Sequence, residues 1–149
     1  MSVPLCFVDT NVLVYSRDAA ETVKQPRATS WREALWHARA GRLSAQVLNE
    51  YYITLTRKLV PALKRDEVRR QVLDLALWQP VPMSAQLLKR SWGIEDRFKI
   101  SFWDSLIVAA AQTAGCLYLL TEDLAAGADF DGVTIVDPFV TAPDELLRS

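Results

Sequence analysis

Four acidic residues stand where carboxylates would be needed to build a metal site, namely Asp9, Glu50, Asp104 and Asp123. Asp9 follows the apolar run at residues 5–8, and Asp123 comes shortly after another such run at residues 116–120. Both runs are typical of buried strands. Ligands of an open α/β sheet bind outside the carboxyl ends of its strands, so we expect both acids at one crevice. Clustered carboxylates repel one another, and a hard divalent cation with oxygen ligands relieves that repulsion.

Other kinds of catalytic site find little support in the sequence. The chain has one histidine, His37, and its two cysteines, Cys6 and Cys116, fall in separate predicted strands. A single chain therefore has no set of His and Cys ligands for zinc. It also has no G-x-S-x-G nucleophile motif and no glycine-rich phosphate loop. Catalysis would therefore have to rest mainly on carboxylates. We expect both cysteines to be buried free thiols in a reducing compartment.

Each acid also has an ordinary structural explanation when it is considered alone. Asp9 would cap its own backbone in an Asx turn. Asp104, three residues after Ser101, suits the first turn of a helix. Asp123 lies in a predicted loop, where most acids are solvated, and Glu50 lies opposite the apolar stripe of its predicted helix. The joint placement of the four acids therefore carries the argument for a metal site, and no single acid does.

The composition is that of an ordinary globular protein. The 149 residues are 50% hydrophobic and 23% charged, which predicts a single domain, over residues 1–141, followed by a C-terminal tail at 142–149. No apolar stretch is long enough for a membrane span, and no basic segment precedes the first apolar run, so we expect neither a membrane anchor nor a secretory signal. These features favour a cytoplasmic location.

Strands and helices alternate along the chain. Strands are predicted at residues 4–8, 42–44, 116–120 and 133–136, with a short edge strand at 79–83. Helices are predicted at 12–15, from Pro26 or Ser30 to Gly41, and at 45–59, 65–78, 84–98 and 101–115. Asp129 and Asp131 fall in a loop and are expected to be solvated. This alternation predicts an α/β fold in which helices cover both faces of a parallel sheet.

Four segments together resemble the motifs of one known family. They are Phe-Val-Asp-Thr-Asn-Val-Leu at 7–13, Ser-Ala-Gln-Val-Leu-Asn-Glu at 44–50, Ser-Phe-Trp-Asp-Ser-Leu-Ile at 101–107 and Leu-Thr-Glu-Asp-Leu at 120–124. In order and spacing they resemble the PIN domain, and more narrowly the VapC toxin ribonucleases of bacterial type II toxin–antitoxin pairs. The resemblance covers nearly the whole chain. It implies a PIN-like three-layer α/β/α sandwich with a central, mainly parallel sheet.

The resemblance also implies a function. The four acids match the acidic quartet of the family position by position, which implies a ribonuclease that uses Mg²⁺, with Mn²⁺ as a substitute. Asn11 matches an asparagine that would brace the Asp9 loop, and Thr121 matches a hydroxyl that would support the site. The implied partners are an RNA substrate, a cognate antitoxin and a second copy of the chain.

The formal net charge of -1 provides no general attraction to nucleic acid, but basic residues cluster after Glu50. Arg57 would lie about two helical turns beyond Glu50 on the same helix face, so it is our candidate for a contact with the RNA backbone. Ordinary solubilisation of a helix would explain the same cluster: Arg57, Lys58, Lys64, Arg65, Arg69 and Arg70.

Two other functions compete with the nuclease. A non-catalytic PIN-like module that binds RNA or a partner would not need an intact set of four mutually repelling acids. A phosphatase of the haloacid-dehalogenase type would need a second aspartate two residues after the first, and this chain has Asn11 there. The RNA target, the number of metal ions and the carboxylate that acts as general base stay open.

Overall fold

The computed structural model describes residues 2–148, so Met1 and Ser149, at the ends of the predicted domain and tail, lie outside the described residues. The strands are β1 (Cys6–Val8), β2 (Gly41–Arg42), β3 (Tyr118–Leu120), β4 (Asp129–Phe130) and β5 (Val133–Val136). The helices are α1 (Thr10–Tyr15), α2 (Lys24–Ala38), α3 (Ala45–Ile53), α4 (Arg65–Leu75), α5 (Ala85–Phe98), α6 (Phe102–Thr113) and α7 (Pro143–Leu146). A π-helical turn, Thr54–Lys58, continues α3, and a 3₁₀ turn, Ala76–Trp78, continues α4.

The five strands form one sheet in the order β2-β1-β3-β5-β4. The pairs β1–β2, β1–β3 and β3–β5 are parallel, and only the edge strand β4 runs antiparallel to its neighbour β5. Every residue of β1 is buried, as expected for a strand that is covered on both faces. The mainly parallel sheet with helices around it confirms the predicted α/β class.

The strand order places a topological switch point between β1 and β3. The chain leaves β1 toward β2 on one side, and it returns to β3 on the other side of β1. The chain connections that follow two such strands run in opposite directions and leave a crevice at the carboxyl ends of the strands. Ligands bind in that crevice in sheets of this type. Val8 pairs with Leu120 in register, so the residues that follow these two strands emerge side by side.

Helix α6 is buried on every side in its middle, as its apolar sequence predicts. Residues 106–111 are all buried, and the helix packs against α5, β3 and β5. At the β2 edge of the sheet, the Trp78 ring packs closely against the backbone of Gly41. A Cβ on Gly41 would lie only 2.7 Å from that ring. Only glycine allows β2 to begin so close to that ring.

Several element boundaries differ from the sequence prediction. The helix expected at 45–59 is α-helical only to Ile53, and strand 42–44 is observed at Gly41–Arg42. The edge strand expected at 79–83 is reduced to one bridge between Val81 and Ser44, because the prolines at 80 and 82 have no N–H to donate. Strand β4 was not predicted.

The C-terminal segment is not entirely without secondary structure. The expected tail includes helix α7, which packs against α2, so the boundary between domain and tail stays a prediction. Among residues 2–148, no helix combines the length and the apolar character that crossing a membrane requires.

Candidate metal centre

Asp9 lies at the end of β1, where its backbone N–H still bonds to the Leu120 carbonyl at 3.1 Å. The side chain is only 8% exposed. One carboxylate oxygen accepts the Thr10 N–H at 2.8 Å, and the other accepts the Thr121 hydroxyl at 2.8 Å. Asp9 therefore does cap the start of α1, as the ordinary explanation requires, and at the same time it faces the end of β3.

The electrostatic environment of Asp9 disfavours its charge. The pKa of Asp9 is raised from 3.8 to about 6, mainly by burial. The hydrogen bonds from Thr121 and Thr10 act to lower this pKa, and the negative charges of Asp123 and Glu50 act to raise it. None of the ion pairs among residues 2–148 includes any of the four candidate acids. The crevice thus holds negative charge that no side chain of the described protein neutralises.

Glu50 is joined to this crevice through α1. The Thr10 hydroxyl donates to one Glu50 carboxylate oxygen at 2.9 Å, and the Gln46 amide donates to the other at 2.9 Å. Helices α1 and α3 pack together, which holds the contact with Thr10 in place. Glu50 is exposed, but it is not merely a solvated residue of the helix face.

Asp123 meets the crevice from the loop after β3. Its backbone N–H bonds to the Thr121 hydroxyl at 3.1 Å, and its carboxylate accepts the Asn11 amide at 3.4 Å. The hydroxyl of Thr121, which is 1% exposed, therefore contacts both Asp9 and the backbone of Asp123. Asn11, which we expected to brace the Asp9 loop, donates from α1 to Asp123.

Asp104 is the least connected of the four acids. Its N–H bonds to the Ser101 hydroxyl at 3.1 Å, which makes it the first-turn acid of α6 that the capping pattern predicts. Within residues 2–148 its carboxylate takes part in no hydrogen bond or ion pair with another side chain. The observed contacts therefore link three of the four acids and leave Asp104 outside the hydrogen-bonded group.

The donor chemistry of the crevice fits a hard divalent cation. Carboxylate, hydroxyl and amide oxygens are the ligands that Mg²⁺ and Mn²⁺ prefer. Within the described residues, however, no three His, Cys, Asp or Glu side chains converge as a ready-made ligand set. Mg²⁺ is commonly held by one or two carboxylates and keeps several waters, so two acids are sufficient protein ligands for it. Asp9 and Asp123 are the best placed, with Glu50 beside them.

A groove runs along α3 and includes Glu50, one of the four acids. Its volume is about 390 Å³, and it is lined by residues of α1, of α3 and of the π-helical turn: Thr10, Asn11, Asn49, Glu50, Ile53, Thr54 and Lys58. Arg57, the basic residue expected on the face of Glu50, is exposed and does not line the groove, whereas Lys58 does. The sequence contains no pattern from which the π-helical turn, and with it the position of Lys58, could be inferred.

Comparisons with known sequences and structures bear on the fold of the chain. The sequence matches the model of the PIN domain over residues 6–127. The fold is similar to a toxin–antitoxin complex from Klebsiella pneumoniae, at 20% identity and a TM-score of 0.60, with 89% of this chain and 97% of that one covered. It is similar to FitAB bound to an IR36 DNA fragment, at 20% identity and a TM-score of 0.68, with 91% and 96% covered.

A third solved structure is similar over a shorter part of the chain. It is VapC20 of Mycobacterium tuberculosis, a sarcin-ricin loop cleaving toxin, at 19% identity and a TM-score of 0.53, with 79% of this chain and 91% of that one covered. At these identities the three structures show a shared fold. No curated protein sequence matches the chain.

Proposed function

Since the chain belongs to the PIN domain family, we propose that it is a metal-dependent ribonuclease and the toxin of a type II toxin–antitoxin pair. The observation that carries the proposal is the buried carboxylate of Asp9, unneutralised and linked through Thr121 to Asp123 at the switch point of the sheet. The three similar structures support it, because they include a toxin–antitoxin complex and a toxin that cleaves the sarcin-ricin loop.

The residues of the crevice divide into ligands and the groups that orient them. Asp9 and Asp123 would hold Mg²⁺ or Mn²⁺, with Glu50 and Asp104 acting directly or through water. When bound, such an ion lowers the pKa of its water and neutralises charge that grows on the phosphoryl oxygens. Thr121 fixes the orientation of the Asp9 carboxylate through its 2.8 Å hydrogen bond. We propose that a carboxylate of the group takes the proton of the attacking water.

Polar neighbours orient the two exposed acids in the same way. Asn11 holds one Asp123 oxygen, and Gln46 and Thr10 each hold one oxygen of Glu50. In both acids these contacts restrict the rotation of a side chain that solvent would otherwise leave mobile. A carboxylate that is already oriented before a metal ion arrives loses less conformational entropy when it binds that ion.

The acidic crevice also suggests how a protein partner would inhibit cleavage. An acidic site attracts an arginine or lysine from another protein, and such a residue would compete with the metal ion. We therefore propose that a cognate antitoxin inhibits by inserting a basic side chain. The antitoxin itself and a homodimeric toxin are proposed from the resemblance to type II toxins, and a cytoplasmic location from the composition of the chain. Light scattering of the purified chain at micromolar concentration tests the dimer, and a monomer would reject it. An antitoxin that binds without slowing cleavage would reject the inhibition.

RNA cleavage by the purified chain tests the function itself. We expect cleavage with Mg²⁺ or Mn²⁺, loss of cleavage with a chelator, and a decrease of roughly a hundredfold or more in Asp9→Asn, equivalent to about 2.7 kcal/mol. Asp96→Asn, which removes an exposed acid of α5, is the matched control and should keep the wild-type rate. RNA binding without cleavage by a folded, metal-loaded chain would favour the non-catalytic module instead.

A further inference from the structure

The chain departs from regular α-helix geometry at the end of α3. The Leu59 N–H donates to the Thr54 carbonyl at 2.8 Å, which is the i to i−5 bond of a π-helix. A further backbone bond, from Leu63 to the Leu55 carbonyl at 2.9 Å, holds the segment that follows the turn. Leu55 is fully buried, so the turn is anchored in the core.

The π-helical turn changes which basic residue shares the face of Glu50. In a regular helix with 3.6 residues per turn, the seventh residue after Glu50, Arg57, would lie on that face. The wider turn takes in an extra residue, so the eighth, Lys58, is found there instead. The lining of the groove agrees, because it includes Glu50 and Lys58 and does not include Arg57.

Lys58 and Glu50 line the same groove, and Thr10 and Asn11, which also line it, connect it to the acidic crevice through their contacts with Asp9 and Asp123. Lys58 lies eight residues after Glu50, across the end of α3 and the π-helical turn, a separation of at most about 12 Å at the rise of a regular helix. The same lining includes Asn49 and Thr54, which are neutral and able to form hydrogen bonds, and the apolar Ile53. No ion pair among residues 2–148 includes Lys58, so its ammonium group is available to an anionic ligand.

We propose that Lys58 binds a backbone phosphate of the RNA strand next to the phosphate that is cut. This inference rests on the proposed function, and it assigns the direction in which substrate leaves the acids, which is along α3 toward the π-helical turn. A single strand has closely spaced phosphates, so a chain seated at the acids and lying in the groove brings one within reach of the Lys58 side chain. An ammonium group meets a phosphate as a point charge, and a contact of this kind positions RNA without reading its sequence.

Two adjacent basic residues provide a matched test. Lys58→Ala and Arg57→Ala each remove one positive charge from neighbouring exposed positions, but only Lys58 lines the groove. Affinity for a single-stranded RNA oligonucleotide is measured against salt concentration, with Asp9→Asn in every variant to prevent cleavage. Lys58→Ala should weaken binding several-fold at low salt and reduce the slope of log K against log salt by roughly 0.7, the value for one phosphate contact with a single strand. Arg57→Ala should leave the slope unchanged.

The outcomes separate this inference from the proposed function. Lys58→Arg should keep the wild-type slope. With Asp9 intact, the Mg²⁺-induced rise in melting temperature should be the same in Lys58→Ala as in the wild type, since no carboxylate is lost. Equal loss of slope in Lys58→Ala and Arg57→Ala would overturn the inference, because a general basic field would then explain both. Unchanged slopes in both variants, together with metal-dependent cleavage by the wild type, would overturn phosphate binding by Lys58. The proposed ribonuclease function would still hold.

Discussion

The two ends of β1 each carry a buried titratable side chain, but burial has a different effect on the two groups. Cys6 and Asp9 are both buried, at 0% and 8% exposed. Burial raises the pKa of the Cys6 thiol from 9.0 to about 12 and that of the Asp9 carboxyl from 3.8 to about 6. The thiol is neutral at pH 7, so burial costs it nothing there. The carboxyl is still mostly ionised at pH 7 and therefore destabilises the fold.

This difference indicates that the amino ends of the strands serve the stability of the core, whereas the carboxyl ends carry the candidate site. At the amino ends, Cys6 begins β1 and Cys116 lies just before β3, and both are buried free thiols. The carboxyl end of β1 leads into Asp9, whose buried charge lowers the stability of the protein as long as no cation neutralises it. Changes at the carboxyl end should therefore alter charge-dependent behaviour, whereas changes at the amino end should alter packing alone.

The largest effect should come from changing pH with Asp9 present or absent. The pKa of Asp9 is raised in the folded state, so the folded protein binds more protons than the unfolded chain between about pH 4 and pH 6, and stability falls as pH rises through that window. The shift corresponds to about 3 kcal/mol. Urea unfolding of the metal-free wild type and Asp9→Asn at pH 3.5 to 7.5 measures it. Parallel curves for the two proteins would contradict the electrostatic account of this end of the sheet.

Metal binding should recover a slightly smaller amount of stability at the same end. An ion that binds only the folded state adds about 2.7 kcal/mol at a hundred times its dissociation constant. Thermal melts with and without Mg²⁺ should show a shift that Asp104→Asn combined with Asp123→Asn reduces. Asp74→Asn combined with Asp96→Asn, two exposed acids outside the crevice, is the charge-matched control. An equal shift in both double variants would place the ion elsewhere.

The smallest effect should come from the core end. Cys6→Ser replaces a buried thiol with a hydroxyl in apolar surroundings, which should cost about 1 kcal/mol of unfolding free energy. The cleavage rate per folded molecule and the metal-induced melting shift should both stay at wild-type values. A Cys6→Ser protein that is fully folded yet cleaves more slowly would show that the two ends are coupled.

The amino-acid pattern was sufficient to predict the central part of this arrangement. Continuous apolar runs predicted β1 and β3, and the parallel pairing of Val8 with Leu120 confirms that the residues after them emerge together. Local sequence was sufficient because strands buried on both faces and helices with Ser caps have strong residue patterns. The caps of α3, α5 and α6 are all serines whose hydroxyls accept a backbone N–H of the first turn: Ser44, Ser84 and Ser101.

The features that were missed depend on contacts distant in sequence or on very short elements. Strand β4 has two residues, too few for an alternating pattern, and its hairpin closes through Asp131 and Gly132, which both have positive φ. The π-helical turn has no characteristic residue type. Likewise, Asn11 contacts Asp123 across 112 residues of sequence, a pairing that depends on how α1 meets the loop after β3.

That long separation has a consequence during synthesis of the chain. The hydroxyl of Thr121 meets the carboxylate of Asp9 across 112 residues, so the ribosome must translate that whole interval before the two can be joined. At about 5 to 20 residues per second, translation of the interval takes roughly 6 to 20 s. A nascent, stalled or truncated chain that ends before β3 therefore has no assembled crevice. The proposed nuclease therefore becomes capable of cleaving RNA only after the chain has been synthesised through β3 and Asp123.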